Sequence, residues 1–103
     1  MRREQLGSFA APRERMTVPE LGGDGVVLVQ GIGFGRKLEL IAIPPARQSL
    51  ELLASAVLDE DGVELMPADQ WDAFASLHEV AFGQLIEAAK RVSGLDPDAG
   101  KKA

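Results

Sequence analysis

Apolar positions recur with a period of two near the front of the chain and with a period near 3.6 further along, so the sequence divides into a strand-forming front and a helix-forming remainder. From Met16 to Leu21 the apolar Met16 and Val18 share a face, and Pro19 confines the segment to a sheet edge. Gly22-Gly23-Asp24-Gly25 is a turn cluster, and Val26-Val27-Leu28-Val29 is a strand-like run bounded by Gly25 and Gly31. Together they predict a β-hairpin over 16–30. Over 34–43, Phe34, Leu38 and Ile41 have helical spacing, whereas Leu38, Leu40 and Ala42 would suit a strand. The helix-forming Arg36, Lys37, Leu38 and Glu39 favour a helix, ended by Pro44-Pro45.

Ala46, Leu50, Leu53 and Val57 mark one face of a helix over 46–58. Asp59-Glu60-Asp61-Gly62 breaks it, and Val63 to Met66 is extended. Pro67 suits the first position of a helix over 67–74, with Asp69 in its first turn and Trp71 and Phe74 as apolar anchors. A last helix is predicted over 76–93. Leu77, Ala81, Leu85, Ala88 and Val92 form one of its stripes, and Phe82, Ile86 and Ala89 form a second. The two cover far more than the ~100° arc of a common surface helix. The expected fold is α+β, a small mostly helical domain with an N-terminal β-hairpin. Its core should contain Leu50, Leu53, Val57, Trp71, Phe74, Leu77, Ala81 and Leu85.

At 103 residues the chain is sized for one domain, expected to span 16–95. Residues 1–15, basic and poor in large apolar groups apart from Leu6 and Phe9, read as a flexible arm, and 96–103 as a flexible polar tail. Sixteen acidic residues against eleven basic ones give a net charge of −5. No basic stripe is present, which argues against nucleic acid. The absence of cysteine excludes thiolate chemistry and disulfides. No apolar run approaches the ~20 residues of a membrane span, and the N-terminus lacks the apolar stretch of a signal peptide. A soluble intracellular protein is expected.

Gly31-Ile32-Gly33-Phe34-Gly35-Arg36-Lys37 lies between a predicted strand and a predicted helix, where a phosphate loop would sit. Arg36 stands where the dinucleotide and Walker patterns both need glycine, and Leu38 where the latter needs Ser or Thr. Both patterns fail. Asp59 to Gly62 resembles part of a calcium loop, but that alignment puts Val57 and Ala68 at ligating positions. His78 is the only histidine, placed within the apolar arc of the last helix, and its expected role is packing. No serine shows a nucleophile-elbow pattern. No catalytic, cofactor-binding or metal-ligating residue is therefore assigned.

The double stripe is the feature left over. Either the last helix is central to its own fold, or Phe82, Ile86 and Ala89 form a partner-binding or self-association face.

From Val18 onward the order of elements resembles a known family. "VPELGG" (18–23) opens it as the entry to a short strand, followed by a helix and then by an apolar helix running into "VLDEDG" (57–62), the most characteristic piece. An extended "VELM" follows, then the tryptophan-bearing "PADQWDAF" (67–74) and a long helix ending in "RVSGL" (91–95). Over about residues 16–95 this is similar to the small tail assembly chaperones of long-tailed bacteriophages and prophages. The resemblance implies a non-enzymatic protein without cofactor, located in the host cytoplasm and absent from the mature virion. Such chaperones bind and solubilise the tape-measure protein and promote polymerisation of the tail-tube protein around it. Self-association is implied as well, and contact with the tube protein through a longer frameshifted product. Gly100-Lys101-Lys102 permits the run of repeated bases that such slippage needs. The alternatives are a small tail or connector component retained in the virion, or an unrelated cytosolic ligand-binding regulator.

Overall fold

The computed structural model describes residues 11–95. Residues 1–10 of the expected arm and the expected tail at 96–103 lie outside the described residues. Strand β1 (Arg13–Thr17) pairs antiparallel with β2 (Val26–Gln30), from Arg13 opposite Gln30 to Thr17 opposite Val26. The hairpin thus begins three residues before the expected boundary at 16, and residues 13–15 are strand rather than arm. Arg13, Arg15 and Thr17 point outward while Glu14 and Met16 are half-buried. Arg13 and Arg15, which read as part of a loose arm, are therefore in the solvent row of an alternating strand. Arg13 Nε donates to Gln30 Oε1 across the pair at 3.1 Å, and Arg15 meets Glu60 at 3.2 Å.

Pro19–Leu21 form a single 3-10 turn instead of continuing the strand. The Val18 N–H donates to the Gly25 carbonyl at 2.7 Å and closes the loop. Gly25 is at φ +66°, and a Cβ there would lie 2.5 Å from the Val18 carbonyl oxygen, so backbone conformation and space both demand glycine.

The sheet has a third strand that the helical spacing concealed. β3 (Val57–Leu58) pairs antiparallel with the far side of β2, giving the order β1-β2-β3. The helix expected to run to Leu58 stops at Ala56, because the β-branched Val57 turns extended and meets the open side of Val29. The Asp59 carboxylate then organises the next turn, its Oδ1 accepting the N–H groups of Asp61 at 2.8 Å and Val63 at 3.0 Å. The segment that resembled a calcium loop is an aspartate-stabilised turn.

The helices are α1 (Phe34–Ile41), α2 (Pro45–Ala56), α3 (Ala68–Leu77) and α4 (Glu79–Val92). The single helix predicted over 76–93 is divided at His78, which has φ −135° and ψ 65°. Its N–H donates to Phe74 O at 2.8 Å to finish α3, and its carbonyl accepts from Phe82 N–H at 2.9 Å to start α4. A one-residue hinge contains no Gly or Pro to announce it. Ser76 and Leu77 accordingly belong to α3, and Leu77, expected in the core, is 79% exposed.

The other expected core residues are buried, with Leu53, Val57, Trp71 and Leu85 sealed from solvent. Trp71 meets Phe74 edge-to-face at 5.5 Å, and its indole Nε1–H has no acceptor among the described residues. The C-terminal end of α4 is pinned against the sheet. The Ile32 N–H donates to the buried Ser93 Oγ at 3.1 Å, and Arg91 forks onto the Glu14 carboxylate at 2.8 Å. A side chain at Gly31 would overlap the Val92 carbonyl oxygen.

Gly31→Ala should therefore destabilise the domain by about 1–3 kcal/mol, the cost of overpacking at a rigid backbone contact. Gly83, inside α4 with open space where a Cβ would stand, should behave oppositely, Gly83→Ala stabilising by about 0.5–1 kcal/mol. Urea midpoints of the two variants check both.

Candidate partner-binding surface

Of the residues singled out on the second stripe, Ala89 has no exposed surface and packs in the core. Phe82 and Ile86 are half-buried and lean on the same core. The second stripe is thus used mainly inside the molecule: α4 packs against α2, α3, β1 and β2, and so must be apolar over most of its circumference. Ala89 is accordingly removed from the candidate face. His78 is half-buried, with its ring 5.1 Å from that of Phe74, a packing role.

Among the described residues, exposed large apolar side chains stand at Val63, at Leu77 and Val80 on either side of the His78 turn, at Leu95, and in a row of three along one face of α1. Phe34 and Ile41 are 76% and 73% exposed and Leu38 is 52% exposed. At helical spacing these three side chains fall within roughly 60° of one another, while the buried Leu40 lies on another side of the helix. The stripe therefore looks outward. Its spacing is legible in the sequence; its direction is not, because the same pattern serves a helix that packs inward. The available signal was that α1 offers Leu40 as its one large apolar group off the stripe.

A chain of polar contacts holds α1 in this attitude. Arg36 Nε donates to Ser55 Oγ at 2.7 Å, and its other nitrogens reach Glu51 at 3.1 Å and Glu39 at 2.9 Å. Glu51 also meets Arg47 at 3.6 Å, and Arg47 continues to Asp69 at 3.5 Å. One arginine thus ties α1 to α2, and a second ties α2 to α3. The two arginines share a groove of about 700 Å³ with Glu39, Glu51, Glu64 and Asp69, beside Gly33 at the start of α1. The segment at 31–37, where a phosphate loop would sit, lines this groove through Ile32, Gly33 and Arg36. Four carboxylates against two engaged guanidinium groups repel an anion there.

On the other flank of α1 lies a smaller cleft of about 210 Å³, between α1, α2 and the end of α4. Leu40, Ile41, Leu52 and Leu95 supply its apolar walls, Gln48 and Ser49 are its neutral polar residues, and Lys37 and Lys90 are its charged ones. Ile41 belongs to both cleft and stripe, so the two form one continuous surface. Among the described residues no group of three or more histidine or carboxylate side chains is placed to hold a metal ion. No helix among them is long and apolar enough to cross a membrane. Searches against protein-family models, characterised proteins and solved structures find no match to this chain.

Arg36→Ala should loosen α1 without unfolding the core. Global stability should fall by only about 1 kcal/mol, since the lost contacts are partly exposed. Amide exchange across 34–41 should accelerate well beyond that of Leu53 and Leu85, as hydrogen-exchange mass spectrometry would show.

Proposed function

We propose that this chain is a non-enzymatic tail assembly chaperone of a long-tailed bacteriophage or prophage. It acts in the host cytoplasm, where it binds and solubilises the tape-measure protein and promotes assembly of the tail tube around it, and it leaves before the virion matures. The observation that carries this reading is the outward apolar stripe Phe34, Leu38 and Ile41 on a folded domain whose core is complete without it. The sequence resemblance over 16–95 supplies the particular partner.

The physical task fits the surface. A long helical chain with an apolar row is insoluble until something covers that row, and a helix face offering residues at i, i+4 and i+7 is a natural cover. Three exposed side chains and a small cleft fall short of the ~800 Å² per partner of a stable interface. Each contact is therefore weak, and holding a long client takes many copies side by side. The part of Phe82 and Ile86 that the core leaves open is the proposed contact between copies. A net charge of −5 per copy keeps such a coated chain soluble.

The proposal requires a tape-measure gene beside this one, and co-expression with its product tests it. The wild-type chain should bring that protein into the soluble fraction and co-purify with it. A Phe34→Ser/Leu38→Gln/Ile41→Gln variant should keep its circular dichroism spectrum and melting temperature yet lose at least tenfold in capture, as expected when exposed anchors rather than core residues are removed. Capture by the triple variant at the wild-type level would remove α1 as the site.

A further inference from the structure

The cleft beside α1 bears on what kind of helix the stripe receives. Sixteen of this chain's twenty-seven charged residues are acidic, and the large groove on one side of α1 carries four carboxylates. The cleft on the other side reverses that balance, with Lys37 and Lys90 as its charged groups and no carboxylate in its lining. Lys37 comes from α1 beside the cleft residues Leu40 and Ile41, and Lys90 from the last turn of α4, with Glu87 three residues before it on the same helix. Long aliphatic stems let lysines line an apolar cleft while their charges remain available at its surface.

We propose that the stripe and the cleft together receive an amphipathic helix whose apolar row is flanked by carboxylates, with Lys37 and Lys90 pairing with those carboxylates. The proposal rests on the chaperone reading only for the choice of a helix as ligand; the charge of that helix comes from the cleft. The apolar row of the guest lies along Phe34, Leu38 and Ile41, and its acidic flank falls over the lysines. A second copy paired antiparallel is a poorer occupant, because a two-fold about the middle of the stripe places the Lys37 flank of each copy against the same flank of the other, so like charges face. Rim charges of this kind act chiefly on partner choice and association rate, and they weaken with salt.

The test uses the full chain and two synthetic helical peptides that share one leucine row, the first flanked by glutamates and the second by lysines. Fluorescence anisotropy should show the glutamate peptide binding on the order of tenfold tighter at low ionic strength, the combined effect of two exposed pairs changing from repulsive to attractive. High salt should shrink the preference, and the Lys37→Glu/Lys90→Glu variant, its fold checked by circular dichroism, should invert it. The stripe variant should bind neither peptide. Equal binding of both peptides, or a preference that survives the double reversal, would overturn the charge assignment while leaving capture of the tape measure to be judged by its own assay. Failure of both peptides to bind also overturns it, and a dimer in sedimentation that the stripe variant dissolves would then give the face to a second copy.

Discussion

The close approach of two backbones at Gly31 and Val92 is the constraint from which the remaining geometry follows. The end of β2 and the last turn of α4 meet with no room for a side chain between them. The contact is bounded by polar partners, Ser93 Oγ accepting from the Ile32 N–H and Glu14 holding Arg91. It joins residues more than sixty positions apart and closes the domain. α1 begins immediately afterwards at Phe34. Its origin is therefore fixed by a junction that involves none of its own side chains.

That arrangement explains how an apolar stripe can face water without the fold failing. The core is built by α2, α3, α4 and the sheet, with Leu53, Val57, Trp71 and Leu85 at its centre. α1 contributes Leu40 alone to that core, and its attachment is otherwise polar, through Arg36 to Ser55 and Glu51. Had the helix been rotated to bury Phe34, Leu38 and Ile41, Arg36 would have lost the groove in which its three partners converge. The helix thus turns its polar anchor toward α2 and its unshared apolar row toward solvent.

Much of the fold was legible in the sequence where periodicity and composition agreed. The strand at 26–30, the helices carrying Leu50 and Leu53 and carrying Ala81 and Leu85, and the α+β class all follow from that agreement. The misplacements share a cause: periodicity extends smoothly across a change that is made by a distant contact. Val57 continues a helical stripe and is drawn extended by β2; Leu77 continues the stripe of α4 and is cut from it by the turn at His78. Likewise, a helix with two apolar stripes reads as having one to spare, and only the packing of α2, α3 and both hairpin strands around it shows that Ala89 is wholly used. The exposed site was hidden for the converse reason. A regular stripe at 34, 38 and 41 carries no mark of which side the rest of the chain will occupy.

The single tryptophan gives this arrangement an optical consequence. Trp71 on α3 is sealed from solvent, edge-to-face with Phe74 and with its N–H lacking an acceptor among the described residues. An indole so placed emits at short wavelength, and it shifts to the red only when water reaches it. α1 contributes no tryptophan, and neither does the cleft beneath it. The intrinsic emission of the protein therefore reports the integrity of the body alone, and a guest settling on the outer face leaves the colour of that signal unchanged.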